Sequence, residues 1–137
     1  MKKNAVLWIA QGLLAIMFLF AGGSKLVMSA AQMTEQANAV GGLQPPIAFV
    51  RFIGVCELLG AIGVIVPWLT GIRPGLTPLA AGGLVVIMIG ATAVNLTTTV
   101  PALAIFTAIL GLLAVFVAYG RGQDQRRTTT SNRVQRT

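Results

Sequence analysis

The sequence contains no histidine, so the commonest general base and metal ligand is missing. Its single cysteine, Cys56, excludes an intramolecular disulfide, a CxxC pair and a thiolate metal site. Acidic residues are nearly as scarce, with three in all: Glu35, Glu57 and Asp124. Charged side chains make up 9% of the chain, against about 25% in an ordinary soluble domain. That is too few to cover a water-exposed globule. No nucleotide-binding loop, metal cluster or nucleophile–base constellation stands out, which argues against a stand-alone enzyme.

What the chain has instead is apolar sequence in long runs, 55% hydrophobic residues over 137 positions. The length suits one domain and limits a membrane protein to about four spans, each needing roughly 20 residues. Hydropathy places the spans at about 4–24, 47–66, 76–95 and 100–119. The first follows Lys2 and Lys3, as a signal peptide would, but its apolar run exceeds the roughly 7–15 residues of such a signal. Ala21-Gly22-Gly23 also makes a poor cleavage site, so an uncleaved first helix is expected. The expected fold is an all-α membrane protein, an antiparallel four-helix transmembrane bundle occupying residues 1–120.

Between the first two spans, Ser29–Val40 reads as a short amphipathic helix. Ser29 and Gln32 have capping-box spacing, and Gly41-Gly42 with Pro45-Pro46 ends the segment and turns the chain. Gln32, Glu35 and Gln36 are placed to face water, with Met33, Ala37 and Val40 against the membrane surface or the bundle. Residues 121–137 are rich in Arg, Gln and Thr, have little to bury, and read as a disordered basic cytoplasmic tail.

The net charge of +7 would suggest nucleic acid in a soluble protein. Here it lies outside the apolar runs and is explained by orientation. With four alternating spans, Lys2, Lys3, Arg73, Arg121, Arg126, Arg127, Arg133 and Arg136 share one side, and Lys25 and Arg51 take the other. The positive-inside rule makes the first side cytoplasmic.

Lipid supplies no hydrophobic drive between helices, so small residues mark close packing. Ala104, Ala108, Gly111 and Ala118 share a sector of the last span, Gly60 and Gly63 a face of the second, and the third offers Gly83, Gly90 and Ala91. These read as seams of one bundle or as dimer surfaces.

Ionisable groups at membrane depth cost about 2.5–3.5 kcal/mol each on insertion scales and usually face a partner or cavity. Glu57 lies about ten residues into the second span, roughly 15 Å along the helix. It must be protonated or met by a cation. Arg51, six residues earlier, sits about 240° around the same helix, an awkward position for pairing. Lys25, ending the first span, has a stem long enough to reach inward, and a Lys25–Glu57 contact is the sharper expectation. Asn95 could join them from the outer end of the third span, and Gln11 suits an interhelical hydrogen bond. Lys25, Arg51, Glu57 and Asn95 are therefore either a structural polar lock or a small pocket for a polar head. Cys56 beside Glu57 points elsewhere and reads as packing.

Three stretches carry a resemblance: Phe18-Leu19-Phe20-Ala21-Gly22-Gly23-Ser24-Lys25-Leu26, Val40-Gly41-Gly42-Leu43-Gln44-Pro45-Pro46, and Arg51 through Ala61 with Glu57 at its centre. With Pro67, Leu76–Ala81 and Ala118–Arg121 after them, the order resembles the DoxX-like family. The resemblance implies a four-helix bacterial inner-membrane protein associated with membrane redox systems. It puts Lys25, Arg51 and Glu57 at the family's polar positions. Many relatives carry a His near the end of the third span, where this chain reads Val94-Asn95-Leu96, so only hydrogen bonding survives there.

The leading functional expectation is an accessory or subunit of a membrane redox or stress-response assembly. A quinone is the cofactor that such a pocket would take; none is identifiable from the residues. The expected partners are the lipid bilayer and a redox protein or further copies of the chain, and no nucleic acid. The alternatives are a small four-helix proton-coupled transporter, which would use Glu57, and a purely structural or chaperone-like membrane protein.

Overall fold

The computed structural model describes residues 2–136, and these are helical almost throughout. In chain order the helices are α1 (Lys2–Val27), α2 (Ala30–Val40), α3 (Ile47–Thr70), α4 (Leu76–Asn95) and α5 (Pro101–Val134). Four of them, α1, α3, α4 and α5, are long and apolar enough to cross a membrane. They pack as a bundle in which α1 lies against α3, α3 against α4, α4 against α5 and α5 against α1.

The buried core is one cluster built from all four, including Leu14 and Phe18 of α1, Val64 of α3, Leu84 of α4, and Ala114 and Val117 of α5. It is narrow. Large apolar residues such as Ile9, Phe20, Leu79, Val86, Ile105 and Leu112 remain more than half exposed. In water such a surface would aggregate, whereas in a bilayer it meets lipid tails.

Helix ends follow local chemistry. Ser29 caps α2: its side chain accepts from the Gln32 amide while the Gln32 side chain accepts from the Ser29 amide. Gln32, Glu35 and Gln36 are exposed, and Met33, Ala37 and Val40 are half-buried. The end of α2 is docked against the α4–α5 loop, where the Thr99 amide and hydroxyl both donate to the Val40 carbonyl at 2.8 Å. Gly42, at φ +89°, makes that fit possible, because a methyl there would meet the Thr97 backbone at 2.8 Å.

Two boundaries differ from the sequence expectation. The second span, α3, does not stop at Pro67 but continues through it to Thr70, ending at Gly71 in the left-handed conformation. One proline removes one donor, and a helix already packed over five turns tolerates that loss near its end. The larger difference is the tail. A disordered segment is predicted from residue 121, yet α5 runs on without interruption to Val134. Gly120 does not end it because Leu7 packs against that glycine, where a methyl would sit 2.5 Å from the leucine Cδ2. Arg121 anchors the next turn, and the Gln and Arg residues that follow are good helix formers.

The seams also sort differently. Gly60 and Gly63 do pack closely, against Leu84 and Ala80 of α4. Gly83 and Gly90 instead face open space. The tightest approach to another helix's backbone is between Gly22 of α1 and Gly54 of α3, where a methyl on Gly22 would lie 2.6 Å from the Gly54 carbonyl oxygen.

Candidate functional site

The close approach of α1 and α3 positions the first polar cluster. Gly22 and Lys25 are three residues apart on α1, and Gly54 and Glu57 are three apart on α3, so each helix presents a glycine and a charge on one face. With the glycines in contact, the Lys25 Nζ donates to Glu57 Oε2 at 2.7 Å. The same ammonium lies 3.4 Å from the Ala21 carbonyl of its own helix. The pair is asymmetric: the Glu57 side chain is 3% exposed and that of Lys25 is 30% exposed. A charge-assisted hydrogen bond compensates a carboxylate removed from water, and the lysine remains approachable from outside.

Of the other residues expected here, Arg51 is exposed and reaches the Met28 carbonyl at 3.5 Å, just beyond the last turn of α1. Asn95 turns away from the pair. Its Nδ2 lies 3.4 Å from both the Leu103 carbonyl and the Thr107 hydroxyl of α5, and Thr92 donates to the same Thr107 hydroxyl at 3.0 Å. The structure thus brings together Lys25 and Glu57, leaves Arg51 exposed against the Met28 carbonyl, and gives Asn95 to the α4–α5 seam. Cys56 is half-buried and sits one residue off the paired face.

A second polar cluster, at the other end of the bundle, is one that sequence reasoning missed. Arg121 is fully buried. Its Nε donates to Gln11 Oε1 at 2.6 Å and its Nη1 to Asn4 Oδ1 at 2.8 Å. Gln11 in turn donates from Nε2 to the Val64 carbonyl at 2.6 Å, tying α1, α3 and α5 through two side chains. The guanidinium lies over Trp68, 4.1 Å from the ring centroid, with Trp8 at 5.3 Å. Asp124, one turn on, is 3.6 Å from Nη1. Among the described residues Nη2 has no hydrogen-bond acceptor, and the two indole faces supply the negative density it needs. Gln11 does serve as an interhelical hydrogen-bonding group; its partner Arg121 was assigned to the tail. The signal was present in the spacing of Asn4, Trp8 and Gln11, which at four and three residues apart stack on one face of α1.

Chemically, the Lys25–Glu57 end offers a buried acid and an ammonium with hydrogen-bonding capacity left, since an ammonium has three donors. The Arg121 end is closed by its own partners and reads as a fastening. A family model described as DoxX-like matches residues 9–117, a span that includes Lys25, Arg51, Glu57 and Asn95 and stops short of Arg121. No curated protein and no solved structure matches the chain.

Proposed function

The chain belongs to the DoxX-like family of membrane proteins, and from that premise we propose that it is an accessory subunit of a membrane redox or stress-response assembly, without catalysis of its own. The observation that carries the reading is the ion pair between α1 and α3. It is a hydrogen-bonded ion pair held at 2.7 Å, with the carboxylate buried and the ammonium within reach of a ligand. The ligand class is a quinone-type ring, whose carbonyl oxygen would accept from the donor that Lys25 has left over.

The setting goes with it: an antiparallel bundle in a bacterial inner membrane, both termini cytoplasmic and the Lys25 end outward. Its support is that Asn4 meets Arg121 at one end, the same end as Lys2, Lys3, Arg73 and the basic turns after Arg121. A cysteine at Gln44 in a Cys56→Ser background should then react with an impermeant maleimide on intact cells, and one at Gln123 only after permeabilisation. The reverse pattern would sink the orientation.

A transporter that binds cations through Glu57 is less well supported, because Lys25 of the same chain already meets that carboxylate. The test is to purify the chain in mild detergent and search for bound quinone by mass spectrometry. Wild type should retain quinone near stoichiometric amounts, and Lys25→Ala and Glu57→Gln should each lose most of it. Retention unchanged in both variants, or no quinone in wild type, overturns the ligand. Affinity purification that recovers only copies of the chain, with no redox protein, overturns the subunit.

A further inference from the structure

Helices α1 and α3 are neighbours, packed at Gly22 and Gly54, yet the chain does not join them directly. A connection between adjacent helices of a bundle needs only about 2–8 residues. Here residues 28–46 leave α1, run through α2 to the α4–α5 loop, and only then turn back to α3. Because α1 and α4 stand at opposite corners of the bundle, this detour crosses its mouth at the Lys25 end. The 11 residues of α2 make about 16 Å at 1.5 Å each, enough to bridge helices whose neighbouring axes lie about 8–10 Å apart. We propose that α2 is a strap over this mouth, and that its release from the α4–α5 loop governs access to Lys25.

The strap is held at its ends and not along its length. No residue of α2 is buried, and only Met33, Ala37 and Val40 are half-buried. An element with so few buried apolar contacts opens locally long before the fold does. At the far end two threonines make a latch. Thr99 donates to the Val40 carbonyl from its amide and its hydroxyl, both at 2.8 Å, and the Leu43 amide donates to the Thr97 hydroxyl at 2.9 Å. Gly41 and Gly42, at φ +67° and +89°, lie between those two points and give the chain a flexible joint there.

At the near end the pivot is Met28-Ser29, between α1 and the cap of α2. The Arg51 guanidinium reaches the Met28 carbonyl only at 3.5 Å, a weak tie. The capping box of Ser29 and Gln32 keeps the first turn of α2 from fraying, so the helix swings as one arm. Lys25 lies one turn before that pivot, with its side chain 30% exposed while the strap is in place. What the opening admits rests on the ligand reading above; the gate itself does not, and is tested without ligand.

The full chain carries three lysines, and Lys2 and Lys3 stand at the opposite end of the bundle from Lys25. In phosphatidylcholine nanodiscs, acetylation of each by a water-soluble succinimidyl ester is read by peptide mass spectrometry, with Lys2 and Lys3 as the reference. Thr97→Val with Thr99→Val keeps the side-chain shapes and removes both hydroxyls. It should raise the Lys25 rate at least fivefold relative to the reference, with tryptophan emission beside Arg121 unchanged. Val40→Cys with Thr99→Cys, in a Cys56→Ser background, should lower the Lys25 rate below wild type when oxidised and restore it on reduction. This locked form decides the matter should the valine variant unfold. A Lys25 rate that locking leaves unchanged, or that the valines fail to raise in folded protein, means that α2 does not govern access and overturns the proposal. Because no quinone is read, failure of the ligand reading would leave this result standing.

Discussion

At the residue scale, one ion pair and one guanidinium carry most of the polar energetics. Removing one partner of a buried pair typically costs about 3–5 kcal/mol, because the other is left uncompensated. Lys25 is partly exposed, so Lys25→Ala belongs at the low end, about 3 kcal/mol, and Glu57→Gln below it because a neutral amide still accepts from the ammonium. The double change Lys25→Met with Glu57→Leu should recover most of the loss, since apolar pairs often substitute for buried ionic ones. Thermal unfolding in detergent reads all three, and a double variant no better than Lys25→Ala alone would contradict the account. Arg121 makes a different demand. Its fork reaches Gln11 and Asn4 while its plane stacks on Trp68, which a lysine cannot do at once. Arg121→Lys should therefore lower stability nearly as far as Arg121→Ala, by about 2–4 kcal/mol for a group with charged hydrogen bonds. Both should shift tryptophan emission, as the guanidinium leaves the rings. A lysine variant with wild-type emission and melting would show that charge alone matters at this position. The Lys25–Glu57 contact was legible in the sequence, because a lone carboxylate at membrane depth demands a partner and few cations exist. Arg121 was not, because an arginine just past an apolar run looks the same whether it turns outward or in.

At the scale of elements, the existence and order of the helices followed from hydropathy and capping chemistry, and α2 was legible from Ser29, Gln32 and the glycines that end it. Which face each helix turns inward was not. Small residues occur on packed and lipid-facing sides alike in a membrane, so Gly83 and Gly90 looked as suitable for a seam as Gly60 and Gly63. Backbone proximity decides it, and the Gly22–Gly54 approach is where it is closest. Gly22→Ala should push α1 from α3 and strain the Lys25–Glu57 pair, costing about 1–3 kcal/mol as overpacking does. Gly83→Ala, with nothing within 4 Å of the added methyl, should leave stability unchanged or slightly raised. Equal melting temperatures for the two variants would mean that the α1–α3 approach is not limiting. Asn95 shows the same limit on reading. Its place at the C-terminal end of α4 was clear, but its choice of α5 over Glu57 depends on helix rotation, which hydropathy does not record.

For the whole molecule, the same logic makes the boundary between bundle and tail a matter of one turn. The apolar run of α5 ends at Tyr119, about 28 Å from Pro101 at 1.5 Å per residue, which matches the hydrocarbon thickness. Arg121 lies just past that limit but is fully buried, fastened to α1 by Asn4 and Gln11 and to α3 by the Trp68 ring. The helix beyond it is exposed from Arg126 onward. Two truncations separate these roles. A chain ending at Gly122 keeps Arg121, its two amide partners and both tryptophan contacts, while losing Asp124 at 3.6 Å and the Gln125 packing beside Gly75. It should melt within a few degrees of the full chain. A chain ending at Gly120 removes the guanidinium, leaves the Gln11 and Asn4 carbonyl oxygens without their donor, and opens a gap between the indoles. It should melt as Arg121→Ala does, or lower. If both truncations melt with the full chain, the Arg121 cluster holds nothing together. If both collapse equally, the helical extension after Gly122 is itself part of the fold, braced against the α3–α4 turn through Gln125 and Gly75.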